Sequence, residues 1–134
     1  MSLKDGISSI TALLGTAVSY FLGGWDVLLQ ALIFMMVLDY VTGVLGAIRQ
    51  KQLSSEVMYW GGIRKAVIIG VITLAVYADQ LLGNDAPIFR ALAVYFYLSR
   101  EGLSVVENLG LIGVPLPPFV KEVLLQLQKK GGEK

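Results

Sequence analysis

The sequence predicts an all-α integral membrane protein. Four short transmembrane helices, or three in the alternative reading, are followed by a C-terminal amphipathic helix, all in one membrane domain over residues 1–134. Composition is the first reason: 55% of residues are hydrophobic and 16% charged, where an ordinary soluble domain has roughly 45–50% and about 25%. The mean hydropathy of +0.68 is the second. The third is the distribution of apolar residues in runs of the length needed to cross a bilayer, about 20 residues for a hydrocarbon layer of roughly 30 Å. The chain has no Cys and no His, which excludes disulfides, Cys/His zinc sites and Ser/His or Cys/His nucleophile pairs. Its 11 basic and 10 acidic residues leave a net charge of +1, so no overall field recruits nucleic acid. No phosphate loop, metal-ligand cluster or paired carboxylates in a soluble cleft can be found. No enzyme, cofactor or metal is expected.

The first span, residues 7–24, lies in a charge-free stretch from Gly6 to Trp25. Lys4 before it imitates a secretory signal, but a second apolar run follows at once instead of a polar mature domain, so the helix is expected to be retained. Gly23-Gly24-Trp25-Asp26 is a tight turn, with Trp25 where interfacial aromatics lie. The second span, residues 27–48, is interrupted only by Asp39. Residues 49–65 read as the one long polar connection, holding Arg49, Lys51, Arg64 and Lys65 against Glu56. The third span, residues 66–83, carries only Asp79, and Gly83-Asn84-Asp85-Ala86-Pro87 supplies a turn and a helix start. The fourth, residues 88–106, contains Arg90, Arg100 and Glu101; the three-span alternative leaves it on the membrane or only partly within it. After Asn108 the string LGLIGVPLPP cannot continue as one straight helix. Residues 118–130 place Phe119, Val120, Val123, Leu124 and Leu127 on one apolar face, which suits an interfacial helix. Residues 131–134 read as a frayed tail. Lys and Arg gather in the central connection and the tail, so the positive-inside rule places both, with both termini, in the cytoplasm.

Small residues recur at helical spacing. Thr11, Gly15, Ser19 and Gly23 share one face of the first span, and Gly62, Ala66 and Gly70 open the third. Thr42 with Gly46, and Gly43 with Ala47, do the same in the second. Such ladders let helix backbones approach closely in lipid. They serve packing within one subunit or between subunits, and their number points to homo-oligomers. The polar set inside the spans comprises Asp39, Thr42, Asp79, Arg100, Glu101, Ser104, Glu107 and Asn108. An Asp at a helix centre costs about 2.5–3.5 kcal/mol on insertion scales and usually faces a bundle interior or water. Three readings stay open on residues alone. One is intramembrane pairing, for example Arg100 with Asp39 or Asp79. Another is a proton relay or cation site in a small channel, and the third is the polar wall of an aqueous lesion lined by many subunits.

The stretch LDYVTGVLGAIRQKQLSSEVMYWGGIRKAVIIGVITLAVYADQL resembles the core of the toxin-secretion/phage-lysis holin family, and YFYLSREGLSVVENLGLIGVPLPPFVKEVLLQL is similar to the family's second block. Matching positions are Asp39, Thr42, Gly43, Ser54, Gly61, Gly62, Lys65, Asp79, Glu101, Ser104, Glu107, Asn108, Gly113, Pro115 and Pro117. The resemblance covers residues 38–127. It implies a phage or prophage protein of the bacterial inner membrane that oligomerises, forms large lesions and lets an endolysin or toxin escape as cargo without binding it. Membrane lipid and, in some systems, an antiholin would be its partners. The resemblance leaves a lytic holin, an antiholin and a toxin-secretion holin equally open.

Overall fold

Helix boundaries follow the side chains able to answer free backbone N–H groups. The computed structural model describes residues 2–132, and among them are five α-helices and no strand. α1 runs Leu3–Phe21, and Ser2 caps it: Ser2 Oγ accepts from the Asp5 N–H at 3.1 Å while Asp5 Oδ2 accepts from the Ser2 N–H at 3.2 Å. α2, Val27–Arg49, starts under Asp26, which accepts from the Leu29 N–H. α3, Ser55–Leu81, starts under Ser54. α4, Ile88–Ile112, has no side-chain cap from its own N-cap residue, Pro87. Asp79 near the end of α3 replaces it, accepting from the Phe89 and Arg90 N–H groups at 2.9 Å each. α5 spans Pro118–Lys130, with Pro at its first position.

The two largest departures from the sequence expectation are at α3 and α4, while α1 begins four residues and ends three residues earlier than the expected 7–24. The connection after α2 is short, because residues 55–65 are helical and extend α3 by three turns before the Ala66 run. Charge made that segment look like a loop, yet Val57, Met58, Tyr59, Trp60 and Ile63 are compatible with a helix once Ser54 caps it. α4 likewise continues past Asn108 to Ile112, where Gly113 at φ 94° ends it. Of the predicted tail, residues 133 and 134 lie outside the described residues.

α4 is the hub, packed against α2, α3 and α5, with α2 its main partner. Leu22, Leu29, Leu32, Met36, Ile72, Val94 and Leu98 form the core. α2 and α4 approach closely because Gly43 and Gly46 of α2 lie against Asn108 and Leu111. No residue of α1 is buried; Leu22, just beyond it, is the first to enter the core. α2 and α3 are long and apolar enough to cross a membrane, and only 22% and 11% of their most apolar windows are buried. Lipid can cover the rest.

α5 does not extend away as a separate interfacial helix. It turns back along α4, with Leu124 seated on Gly102, Leu127 against the core and Gly131 beside the Phe96 backbone. Lys130 lies 5.3 Å from the Tyr95 ring centre. Its apolar face is therefore divided, and Phe119 and Val123 remain exposed. Gly102 makes this docking possible, since a Cβ there would overlap Leu124. Gly102→Val should lift α5 at a cost of about 1–3 kcal/mol, the usual range for overpacking. Limited proteolysis at Lys121 and Lys129 should accelerate, with α2–α4 staying protected.

Candidate functional site

Midway along α2, α3 and α4, three charged side chains meet. Lys65 Nζ donates to Asp39 Oδ2 and to Glu101 Oε2, both at 2.7 Å. The side chains of Lys65, Asp39 and Glu101 are only 18%, 15% and 7% exposed. Asp39 spends its second oxygen on Asn108, whose Nδ2 lies 2.9 Å from Asp39 Oδ1, 3.0 Å from the Asp39 carbonyl and 3.0 Å from Thr42 Oγ1. Thr42 donates its own hydroxyl hydrogen bond to the Leu38 carbonyl at 2.7 Å. Tyr40 donates from its hydroxyl to the Met58 carbonyl, a second tie from α2 to α3. Among the described residues, no buried side-chain polar atom lacks a partner.

Of the polar residues that the sequence singles out, the structure brings Asp39, Glu101, Thr42 and Asn108 together. Their cation is Lys65, which charge patterning had assigned to a loop. Ser104 lines the adjoining cavity. Arg100 is exposed, with its guanidinium 6.0 Å from the Phe96 ring centre, and Glu107 is exposed too. Asp79 is buried at the far end of α3, where it accepts from Asn84 and the first turn of α4. That role replaces the suggested pairing with Arg100.

A second charged centre escaped the sequence reading. Arg90 is 3% exposed. Its Nε donates to the Leu22 carbonyl at 2.7 Å, and its terminal nitrogens donate to the Gly24 carbonyl and to both oxygens of Asp26 at 2.7 and 3.0 Å. One guanidinium thus ties the α1–α2 turn to α4. These hydrogen bonds hold the Asp26 carboxyl below its ordinary range, against the opposing effect of burial. Gly23 belongs to this clamp: its φ is +84°, and a Cβ there would stand 2.5 Å from Arg90 Nε. A charge at the third position of an otherwise apolar run, Ile88-Phe89-Arg90-Ala91-Leu92, was the available signal.

The predicted small-residue ladders separate in the structure. Gly43 and Gly46 pack inside the subunit, and Gly23 serves Arg90. Gly15, Gly62 and Gly70 have nothing within 4 Å of a notional Cβ, and Thr11, Ser19 and Ala66 are exposed or nearly so.

An all-helical chain with unburied apolar outer helices and ion pairs turned inward has the build of a membrane protein. Residues 16–129 match the bacteriophage holin family, and the chain belongs to that family. It is 30% identical over 106 residues to a probable holin of Bacillus phage phi105, covering 79% of this chain and 78% of that protein. It is 40% identical to an uncharacterised protein of Clostridium perfringens strain 13, with 90% of each chain covered. An uncharacterised 14.9 kDa protein from the nagH 3' region of Clostridium perfringens is also 40% identical, over 96% of this chain and 94% of its own. No solved structure matches.

Removing one partner from a buried ion pair strands the other charge, at about 3–5 kcal/mol. Lys65→Met should destabilise the bundle by that order in a denaturant titration of the micellar protein. Adding Asp39→Asn and Glu101→Gln should recover most of the loss, because no uncompensated charge then remains.

Proposed function

We propose that the chain is a holin: it crosses the bacterial inner membrane four times, accumulates as homo-oligomers and opens lesions wide enough for an endolysin or toxin to pass. The supporting observation is the two-sidedness of the bundle. Phe34 and Val37 on α2 and Val67 and Leu74 on α3 are exposed, an outer surface suited to lipid. At the same level α5 lies along α4 with Lys121, Glu122, Gln126, Lys129 and Lys130 exposed. Hydrocarbon is a poor neighbour for that side, and water or another subunit is a good one.

The aromatic residues give a matching thickness. At a rise of ~1.5 Å per residue, Asp39 lies ~20 Å along α2 from Trp25, and Lys65 ~8 Å along α3 from Trp60. Because Asp39 and Lys65 touch, the two tryptophans stand ~28 Å apart along the bundle, close to a hydrocarbon layer of about 30 Å. In this reading the α2–α3 connection and α1's start are cytoplasmic, whereas α5 turns back along α4 and leaves Gly131 beside Phe96, within the fourth span, so the end of α5 does not follow the central connection to the cytoplasm. The α1–α2 and α3–α4 turns face outward.

Single cysteines at Gln52 and Asp85 check the topology. In intact cells before lysis, an impermeant thiol reagent should label the cysteine at position 85 and leave that at position 52 unmodified. Equal labelling of both would sink the four-span arrangement.

The width of the opening separates a holin from a small ion or proton channel. One helix is only about 10–12 Å across, so a hole of tens of Å needs many subunits. Purified protein in liposomes should release large dextrans as well as small dyes, steeply with protein-to-lipid ratio. Replacing Lys121, Lys129 and Lys130 with Leu should slow dextran release while leaving insertion intact. Conduction of protons or small ions alone, with dextrans retained at every ratio, would transfer the chain to the channel class. Inserted protein that neither leaks nor conducts, and delays a lytic holin, would make it an antiholin.

A further inference from the structure

Below the α2–α3 connection the three charged helices do not close over one another. A cavity of about 550 Å³ lies between α2, α3 and α4. Arg64, Lys65 and Arg100 line it together with Asp39 and Glu101, three cations against two carboxylates. Lys65 already answers both carboxylates, and among the described residues Arg64 forms no ion pair. Arg64 therefore brings positive charge to the cavity's rim that no ion pair of the described residues offsets.

Beside it, between the outer faces of α2 and α3, runs a groove of about 460 Å³ lined by Ile33, Met36, Val37, Val41, Ala66 and Ile69. Gly62 leaves space there, since nothing lies within 4 Å of a notional Cβ. Tyr40 and Lys65 line both spaces, so the polar cavity and the apolar groove adjoin. Arg64 sits one residue before Lys65, just inside the level of Trp60, and can extend its guanidinium towards the headgroups.

We propose that the cavity and groove together hold one membrane phospholipid with an anionic headgroup, its phosphodiester beside Arg64 and Arg100 and an acyl chain along the groove. Charge complementarity selects this occupant over a helix from a second copy. The small-residue face of α1, with Thr11, Gly15 and Ser19, brings no carboxylate to Arg64. An anionic lipid supplies the negative charge and the apolar tail in one molecule. The inference rests on α2 and α3 crossing the membrane, and is independent of lesion formation.

The test uses the delipidated full-length protein in mild detergent, titrated with phosphatidylglycerol or phosphatidylcholine and read by native mass spectrometry. Phosphatidylglycerol should bind about tenfold more tightly, as expected for one to two basic side chains near an anionic headgroup. Arg64→Gln with Arg100→Gln should bring the two lipids within about twofold of each other. Gly62→Leu should weaken both lipids without changing their ratio, and Ala66→Leu blocks the same groove from the next turn if that variant does not fold. Equal binding of the two lipids by the unaltered protein would overturn the proposal. So would displacement of phosphatidylglycerol by millimolar inorganic phosphate with groove variants silent, which would mark a simple anion site. Groove variants that change the oligomer distribution and not lipid binding would assign the groove to a second copy. Lost selectivity with dextran release intact defeats the lipid site alone; retained selectivity without release defeats the lesion alone.

Discussion

A charged side chain in a low-dielectric surrounding must be paired or hydrogen-bonded, and α4 carries two of them on its inward side. Glu101 and Arg90 are both nearly inaccessible, and most of the fold can be read as the means of answering them. Lys65 from α3 meets Glu101, and by reaching Asp39 as well it fixes the register of α2 against α3. Arg90 meets Asp26 and two turn carbonyls, which sets where α1 leaves the bundle. Asp79 bonds the backbone of Phe89 and Arg90, so the same short segment joins α3 to the start of α4. Apolar packing brings these helices together, but it is non-directional. The ion pairs have defined geometry and select one arrangement from many.

Glycine decides how near the helices can come. Gly43 and Gly46 let α4 lie against α2, close enough for Asn108 to reach Asp39 and Thr42. Gly102 lets α5 lie against α4. The bundle is consequently thin, with α4 enclosed and α2 and α3 touching each other much less. That slack between α2 and α3 is where the apolar groove opens.

The helical class, the turns at residues 23–26 and 83–87 and the extent of α5 were legible in the sequence, because each rests on local chemistry: apolar run length, Gly and Asp turn residues, a Pro at a helix start. Asp39, Thr42, Glu101 and Asn108 stand out in the sequence for the same reason, as polar groups inside apolar runs. Their partners do not. Charge counting put Lys65 in a loop because it weighs Arg64 and Lys65 with Arg49 and Lys51, whereas Ser54 starts a helix that carries Lys65 back to Asp39. The Arg90–Asp26 pair joins residues that α2 and α3 separate in the chain. Pairing across that distance depends on tertiary packing and has no period. The docking of α5 was hidden because its apolar stripe fits a membrane surface as well as a glycine on a neighbouring helix.

The pairing also limits how a lesion could form in the proposed function. If subunits opened by turning Asp39 and Glu101 towards water, Lys65 would have to leave one or both carboxylates, and Asn108 would lose three acceptors. Hydration would offset part of that loss, but the α2–α4 contact would be sacrificed with it. The outer face of α5 already presents Lys121, Glu122, Lys129 and Lys130, and α1 already stands clear of the core. Turning the α4–α5 side towards water breaks no ion pair and unpacks no core residue. Assembly by intact bundles that share contacts through α1 and direct α5 to the aqueous side is therefore the less costly route, with Lys65 and its carboxylates serving as the fastening that keeps each subunit whole.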